Sequence, residues 1–212
     1  LAPHPFYHSG TLFLSFPCYI AAGKILMAME IQPEFYLRSL ADEKCTGGWN
    51  TVPTWSDVLN AIKSGAVNLK DYDLAALRRI EIGAQPVPYV LLEDSKKIFP
   101  NLPISNIYGI TEGGGGGLTN CYDEDIMRKP GSIGKATAFM EAKVVDDKGN
   151  ELKPGQVGEL LDRDLVRDFE PELEIRRHLI HHRAEIIAGG KFVVSRIHAN
   201  RLEYLRVFAQ AI

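Results

Sequence analysis

Strand-like and helix-like segments alternate over residues 9–109 of this 212-residue sequence, and this alternation limits the possible folds more than any other feature. The first predicted helix ends at Gly23, and the second begins at Pro33. The third follows an N-cap at Thr54, and the fourth covers residues 88–99. The predicted strands cover residues 24–29 ("KILMAM"), 77–83 ("LRRIEIG") and 104–108 ("ISNIY"). Strands that alternate with helices predict an α/β fold with a doubly wound, mostly parallel sheet and helices on both of its faces.

A different pattern begins near residue 131. "MEAKVVDD" alternates in polarity, "DKGN" is typical of a turn, and "VGELL" has the character of a second short strand. These signals predict a small antiparallel, barrel-like β piece after the α/β part. We therefore expect a partial α/β subdomain over residues 1–130 and a β-rich subdomain piece over residues 131–165.

Composition and charge exclude several classes of function. A formal net charge of −3 provides no field that attracts nucleic acid or anionic lipid, so neither is expected as a partner. The three cysteines have no CxxC spacing, which favours reduced thiols and a cytoplasmic location. The most apolar stretch, residues 11–29, contains Pro17, Gly23 and Lys24, so no transmembrane segment is expected. The sequence carries no signal for an oligomeric state.

Two loops follow predicted strands directly, "GAQP" at residues 83–86 and "GITEGG" at residues 109–114. Ligands of parallel sheets bind beyond the carboxyl ends of the strands, so both loops are expected at one edge. The second loop continues into five consecutive glycines, whose backbone N–H groups can approach an anion closely. It has neither a Walker A lysine nor GxGxxG spacing, and a flexible linker remains the alternative interpretation.

The residues before the glycines carry a more specific signal. Tyr108 offers a planar face on which a purine can stack, Thr111 offers a hydroxyl for a phosphate oxygen, and Glu112 is a carboxylate suited to Mg²⁺. Each also has a simpler interpretation: Tyr108 as a core residue at a strand end and Glu112 as a carboxylate at a helix start. His8, taken alone, is equally compatible with a structural role.

"YGITE" resembles the Tyr-Gly-x-Thr-Glu motif of the adenylate-forming superfamily, and flanking segments resemble the same family in the same order. They are "PFYHSG", "VPT", "DLAALRRIEIGAQPVP", "IFPNLPISNIYGITE" and "KPGSIGKATAFMEAKVVDDKGNELKPGQVGELL", which together extend over roughly residues 1–162. The chain is accordingly identified as similar to the acyl-CoA synthetase or acid–CoA ligase branch.

The resemblance implies a reaction and a set of site residues. ATP would activate a carboxylic acid to an acyl-adenylate, and coenzyme A would then take the acyl group. The implied nucleotide-binding positions are Gly83, Ala84, Gln85, Tyr108, Gly109 and Thr111, with Mg²⁺ on Glu112 and with His8 near the substrate carboxylate. Thr111, Glu112 and His8 are the implied catalytic residues. A histidine and a glycine in "PFYHSG" favour a fatty or aryl acid over an amino acid.

The resemblance weakens after residue 162. Asp164 resembles the family's ribose-binding aspartate, although the Thr and Gly that normally precede it are missing. "HHRAEIIAGGKFVVSRIHANRLE" resembles the hinge before a small mobile domain, with Arg183 as its better-placed remnant, although His181 stands where the family has Arg. The resemblance therefore implies a degenerate hinge and the start of a small α+β domain over residues 166–212.

A metal site is a competing interpretation of the histidines near the end. His178, His181 and His182 would share one face of a helix, a spacing that zinc can use. No carboxylate or cysteine completes the set, so a solvated polar face is favoured.

Two family elements do not occur in the sequence: the Ser/Thr/Gly-rich phosphate loop with its lysine, and the C-terminal catalytic lysine. We therefore expect an internal piece of a ligase that does not form an acyl-adenylate alone. The alternative hypothesis is a non-catalytic nucleotide-binding or acyl-binding module, or a scaffold, derived from the same fold.

Overall fold

The computed structural model describes residues 1–27, 31–111, 119–137, 140–164, 182–187 and 191–197. Within these ranges the α-helices are α1 (Ser9–Ile20), α2 (Pro33–Asp42), α3 (Val52–Lys63), α4 (Tyr89–Ile98) and α5 (Asp123–Arg128). The strands are β1 (Gly47–Thr51), β2 (Arg79–Gly83), β3 (Ile104–Tyr108), β4 (Thr119–Cys121), β5 (Ser132–Ala136), β6 (Met140–Val145), β7 (Val157–Asp164), β8 (His182–Ile187) and β9 (Lys191–Ile197). A single 3₁₀ turn at Leu69–Asp71 lies between α3 and β2.

The first three strands form a parallel sheet in the order β1-β2-β3, with Trp49 opposite Glu81. The connections are α3 between β1 and β2, and α4 between β2 and β3. Parallel neighbours need such long crossovers, because a tight turn can join only antiparallel strands. The predicted α/β fold with a parallel sheet is thus confirmed.

Helices cover both faces of this sheet, as the neighbours of β1 show. The Asn50 side chain donates a 2.8 Å hydrogen bond to the Tyr36 hydroxyl of α2. The adjacent Trp49 ring lies against the first turn of α1, where a Cβ added to Gly10 would come within 2.8 Å of its Cζ2 atom. Successive strand residues point to opposite faces, so α1 and α2 lie on opposite sides of the sheet.

The main core lies between this sheet and the helices α2, α3 and α4. Leu40, Trp55, Ile80 and Leu92 are among its residues and are at most 1% exposed. The Trp55 indole N–H donates a 2.8 Å hydrogen bond to the Ser95 hydroxyl, which joins α3 to α4. Because a buried indole N–H needs a partner, this contact fixes how the two helices pack.

The antiparallel part continues from the edge of the parallel sheet. β4 pairs with β3 and β5, and the remaining order is β5-β9-β8-β7-β6. A second core cluster of Ile133, Val144 and Leu160 lies on these strands. The predicted antiparallel piece is confirmed. β8 pairs with β7, and β9 pairs with β5, so two strands from residues 166–212 belong to the same sheet. The division of the chain into three parts stays a prediction.

Several local predictions were wrong. β1 was missed, because three of the five residues in its sequence "GGWNT", two glycines and an asparagine, are of types that are depleted in strands. The predicted N-cap at Thr54 was wrong, since α3 begins at Val52 with Thr51 at the cap and Pro53 in its first turn. Proline near a helix start has the required φ, which explains the earlier start.

The strand predicted for "KILMAM" is also absent from the part of it that the structure describes. Residues 24–26 are irregular there, and Met27 forms only an isolated bridge with Ala2. Its neighbours 28–30 lie outside the described residues. Among the described helices, none combines the length and apolar character that a membrane span requires.

Candidate active site

A cleft of about 150 Å³ opens where the carboxyl ends of β2 and β3 meet the first turn of α1. It is lined by His8, Ser9, Gly10, Leu14, Trp49, Ala84, Ile107, Gly109, Ile110 and Thr111. The two loops predicted to share one edge of the sheet therefore do so. Four of the predicted site residues, His8, Ala84, Gly109 and Thr111, line the same space.

The loop after β2 is shaped by a close approach between neighbouring backbones. A Cβ added to Gly83 would lie 2.3 Å from the carbonyl oxygen of Ile107 on β3, so only glycine fits at this position. The next residue, Ala84, adopts φ = +64°, a conformation that alanine rarely takes. Gln85 is exposed beside it. Backbone strain of this kind is often found at ligand-binding loops.

His8 caps the helix that points at the cleft. Its Nδ1 atom accepts a 3.1 Å hydrogen bond from the backbone N–H of Gly10, and its backbone is extended, as expected at an N-cap. In the neutral ring this bond places the proton on Nε2, because the two ring nitrogens of a neutral imidazole divide the donor and acceptor roles. His8 is therefore arranged to offer an N–H donor from the wall of the cleft.

Thr111 is joined to the same helix end. Its Oγ1 atom lies 3.0 Å from the Oγ atom of Ser9, and either hydroxyl can be the donor. The contact links α1 to the loop after β3. It places two hydroxyls and the His8 ring on one side of the cleft, and the apolar side chains of Leu14, Trp49, Ile107 and Ile110 also line it.

His4 and Trp49 were not singled out from the sequence. The His4 ring meets Trp49 edge-on with centroids 4.9 Å apart, and the His8 ring lies 5.1 Å from Trp49. His4 Nε2 accepts a 3.2 Å hydrogen bond from the backbone N–H of Thr51. Burial, and secondarily the nearby His8, lowers the pKa of His4 to about 4, so this ring is neutral at pH 7. The signal that could have found it is the pair of histidines in "HPFYH".

The structure does not bring every predicted residue to the cleft. Tyr108, at the end of β3, is half-buried and packs against the second core cluster, and its stacking on adenine stays a prediction. Asp164 is the last residue of β7, opposite Met140, and Arg183 lies on β8, opposite Glu159. Glu112 lies outside the described residues.

Metal binding was predicted at Glu112, with a histidine cluster as the competing site. Within the described ranges, no group of three or more His, Cys, Asp or Glu side chains could hold a metal ion. Mg²⁺ often takes only one or two protein carboxylates together with phosphate oxygens and water, so a site built on Glu112 with bound ATP fits the chemistry. His182 begins β8 and is not helical, whereas His178 and His181 lie outside the described residues.

The sequence of the chain matches a known family over most of its length. The family model described as AMP-binding enzyme matches residues 1–164. The chain belongs to the AMP-binding enzyme family. The resemblance to adenylate-forming enzymes is thereby confirmed, and its limit at residue 164 agrees with the point at which the motifs weaken.

Individual members of the AMP-binding family show the same relationship. The chain is 39% identical over 143 residues to 4-coumarate–CoA ligase-like 9 of Arabidopsis thaliana, an alignment that covers 66% of this chain and 24% of that protein. The fold resembles a long-chain-fatty-acid-CoA ligase of Archaeoglobus fulgidus, with a TM-score of 0.77 and 21% identity over 100% of this chain and 46% of that one.

The fold also resembles O-succinylbenzoate coenzyme A synthetase of Bacillus subtilis, in a complex with ATP and magnesium. The TM-score is 0.72 and the identity 20%, over 90% of this chain and 40% of that one. At these identities the two structural matches show the fold alone. The chain spans about a quarter of the length of the first AMP-binding relatives that it matches.

Proposed function

We propose that this chain forms part of an AMP-forming acid–CoA ligase and that its cleft holds the carboxylate and the nucleotide phosphates. The observation that carries the proposal is the meeting of His8, Ala84, Gly109 and Thr111 in one cleft at the carboxyl edge of the sheet. Membership of the AMP-binding family supports an adenylate as the intermediate.

The proposed reaction has two steps. In the first, a carboxylate oxygen of the acid forms a bond to the α-phosphorus of ATP, and the bond to pyrophosphate breaks. In the second, the thiol of coenzyme A loses its proton and attacks the acyl carbonyl, and AMP leaves with the bridging oxygen. When bound, Mg²⁺ would offset part of the negative charge of the phosphates.

Donor groups on this chain would act on the charges that develop in the first step. The Nε2–H of His8 donates to a carboxylate oxygen, and the Thr111 hydroxyl donates to a phosphate oxygen. Fixed donors in a partly enclosed site stabilise such charge more than water does, because they need no reorientation. The backbone of Gly83 to Gln85 follows the adenine edge, with Tyr108 on the ring and Gly109 beside it.

Three further residues complete the proposed nucleotide site. Glu112 holds Mg²⁺, Asp164 binds the ribose hydroxyls, and Arg183 pairs with a phosphate or with the ribose. The support for each is the motif position alone. All are polar or charged side chains of the type that phosphate, ribose and Mg²⁺ require.

A fatty or aryl acid is the proposed substrate class. The cleft pairs a polar end at His8 and Thr111 with the apolar side chains of Leu14, Trp49, Ile107 and Ile110, as an acid with a hydrocarbon body requires. The cytoplasm is the proposed location, because Cys18, Cys45 and Cys121 are all free thiols.

The test is single-turnover formation of acyl-adenylate by the protein expressed from its full reading frame, with Glu112→Gln and Glu93→Gln compared. Glu93 lies on α4, outside the residues that line the cleft, and serves as the matched control. The proposal predicts a loss of at least a hundredfold in Mg²⁺-dependent rate for Glu112→Gln and none for Glu93→Gln. Near-normal turnover of Glu112→Gln would contradict the role of this carboxylate.

A further inference from the structure

One of the apolar side chains that line the cleft is a large aromatic residue, Trp49. Trp49 lies in the middle of β1, is only 5% exposed, and still lines the cleft. An aromatic ring at the border of a cleft offers apolar, polarisable surface to a ligand that enters. The hydroxyls of Ser9 and Thr111 mark the polar end of the same space.

The position of this indole is held by its neighbours. The His4 ring packs edge-on against it at 4.9 Å, and the His8 ring lies 5.1 Å away. Gly10 supplies the remaining space, since a Cβ there would lie 2.8 Å from Cζ2 of Trp49 and 3.2 Å from Nδ1 of His8. The indole therefore cannot shift toward α1 to make room for a ligand.

The size of the cleft limits what can lie against the indole. The cleft has a volume of about 150 Å³ and is open on one side. A single six-membered ring fits within a volume of this size, whereas most of a long alkyl chain would extend beyond the indole through the open side.

We infer that Trp49 is a specificity-determining residue, a wall that selects acids with a single aromatic ring over acids with long alkyl chains. The inference rests on the proposed function and narrows its substrate class from fatty or aryl acids to aryl acids. In this arrangement the carboxylate lies at the end marked by His8, Ser9 and Thr111, and the ring of the acid packs against the indole. Aromatic pairs add roughly two- to tenfold in affinity beyond the burial of area.

The test measures binding of acids to the protein from the full reading frame by NMR titration, without ATP or coenzyme A. The probes are benzoate, cyclohexanecarboxylate, which matches its size without aromaticity, and dodecanoate below its micelle concentration. The inference predicts that benzoate binds at least threefold tighter than cyclohexanecarboxylate and at least tenfold tighter than dodecanoate.

Variants of Trp49 separate its role in the choice of acid from its effect on the stability of the fold. Trp49→Leu is expected to bring the ratio of benzoate to cyclohexanecarboxylate affinity close to one, and Trp49→Phe is expected to retain most of it. Trp55 is the second tryptophan of the chain and lies in the main core. Trp55→Phe is expected to leave the ratio of benzoate to cyclohexanecarboxylate affinity unchanged. Circular dichroism and thermal unfolding establish that each variant is folded.

Gly10→Ala changes the position of the indole while Trp49 is retained. The added methyl group pushes the ring into the cleft, so benzoate is expected to bind at least fivefold more weakly. Alanine is the better helix former, so weaker binding would not come from loss of the helix. Equal affinity for dodecanoate and benzoate, an unchanged ratio in Trp49→Leu, or no binding of any acid would each overturn the inference. None of these outcomes decides whether an adenylate forms, which the turnover measurement with ATP tests separately.

Discussion

The Oγ atom of Ser9 lies 3.0 Å from the Oγ1 atom of Thr111, a contact between residues 102 positions apart in the sequence. It joins the first turn of α1 to the loop that follows β3, and both residues line the cleft. The loop with the adenylate motif is therefore positioned in part by the helix that His8 caps.

Thr111→Ala is expected to lower kcat/KM for ATP by about tenfold to a hundredfold in the protein from the full reading frame. A hydrogen bond to a charged group contributes about 1.5–3 kcal/mol, and removal of the hydroxyl abolishes it. Thr111→Ser keeps the hydroxyl and should stay within a few-fold of wild type. Ser9→Ala removes only the supporting contact and should have a smaller effect. Steady-state kinetics with ATP as the varied substrate will measure all three, and a Thr111→Ala enzyme with unchanged kcat/KM would contradict the assignment.

His4 is expected to make the stability of the fold depend on pH. Its pKa is about 4 in the folded chain and near 6.5 in an unfolded one, so the unfolded state binds the proton first as the pH falls. The stabilisation from the neutral ring is complete above pH 6.5 and is lost as the pH falls toward 4. The slope stays below about 1.4 kcal/mol per pH unit, because the folded and unfolded states differ by at most one proton at this ring.

The variant His4→Gln isolates this effect. Its amide oxygen can accept the hydrogen bond from Thr51 N–H without titrating. Urea unfolding between pH 7 and pH 4 should show a flatter loss of stability in His4→Gln than in the wild-type chain. Asp94 and Asp146 have lowered pKa values and are unchanged in both proteins, so the difference between the two curves reports His4. Parallel curves would show that His4 does not titrate as described.

Gly83→Ala is expected to destabilise the chain by about 1–3 kcal/mol, as overpacked sites typically do. The new Cβ would lie 2.3 Å from the backbone oxygen of Ile107, and β2 and β3 would have to separate. Gly47→Ala on β1 is the matched control, because its Cβ would meet only ordinary contacts at 3.6 Å from Arg79. The midpoint of urea unfolding should fall for Gly83→Ala and move little for Gly47→Ala. Equal midpoints would contradict the close packing of β2 against β3.

The sequence predicted the parallel sheet well because β2 and β3 each carry two isoleucines and lie next to clear helix signals. It missed β1, whose "GGWNT" has little strand propensity; pairing with β2, burial of Trp49 and the Asn50–Tyr36 hydrogen bond stabilise this strand instead. It also placed a strand at "KILMAM", where Met27 forms only an isolated bridge with Ala2. Both errors concern contacts between distant residues, which local propensity does not contain.

The candidate site was predictable where its residues follow strands directly. Ala84 and Thr111 were placed correctly at one edge, because the carboxyl ends of parallel strands meet there. Trp49 was missed, because it would ordinarily be a core residue and only the tertiary packing around α1 brings it to the cleft. His4 was missed as well, and it lies behind the cleft lining, packed against Trp49. Tyr108 shows the reverse case, since its motif predicts stacking on a base and its described contacts are with the second core cluster.

The most direct test of the central claim follows the oxygen atoms of the acid. The protein from the full reading frame is incubated with ATP, Mg²⁺, coenzyme A and benzoate labelled with ¹⁸O in both carboxylate positions, and the AMP is examined by mass spectrometry. If the carboxylate attacks the α-phosphorus, each AMP carries one ¹⁸O atom from the acid, and an equal amount of acyl-CoA forms. Unlabelled AMP, or label in a released phosphate instead, would contradict an acyl-adenylate intermediate and with it the proposed function.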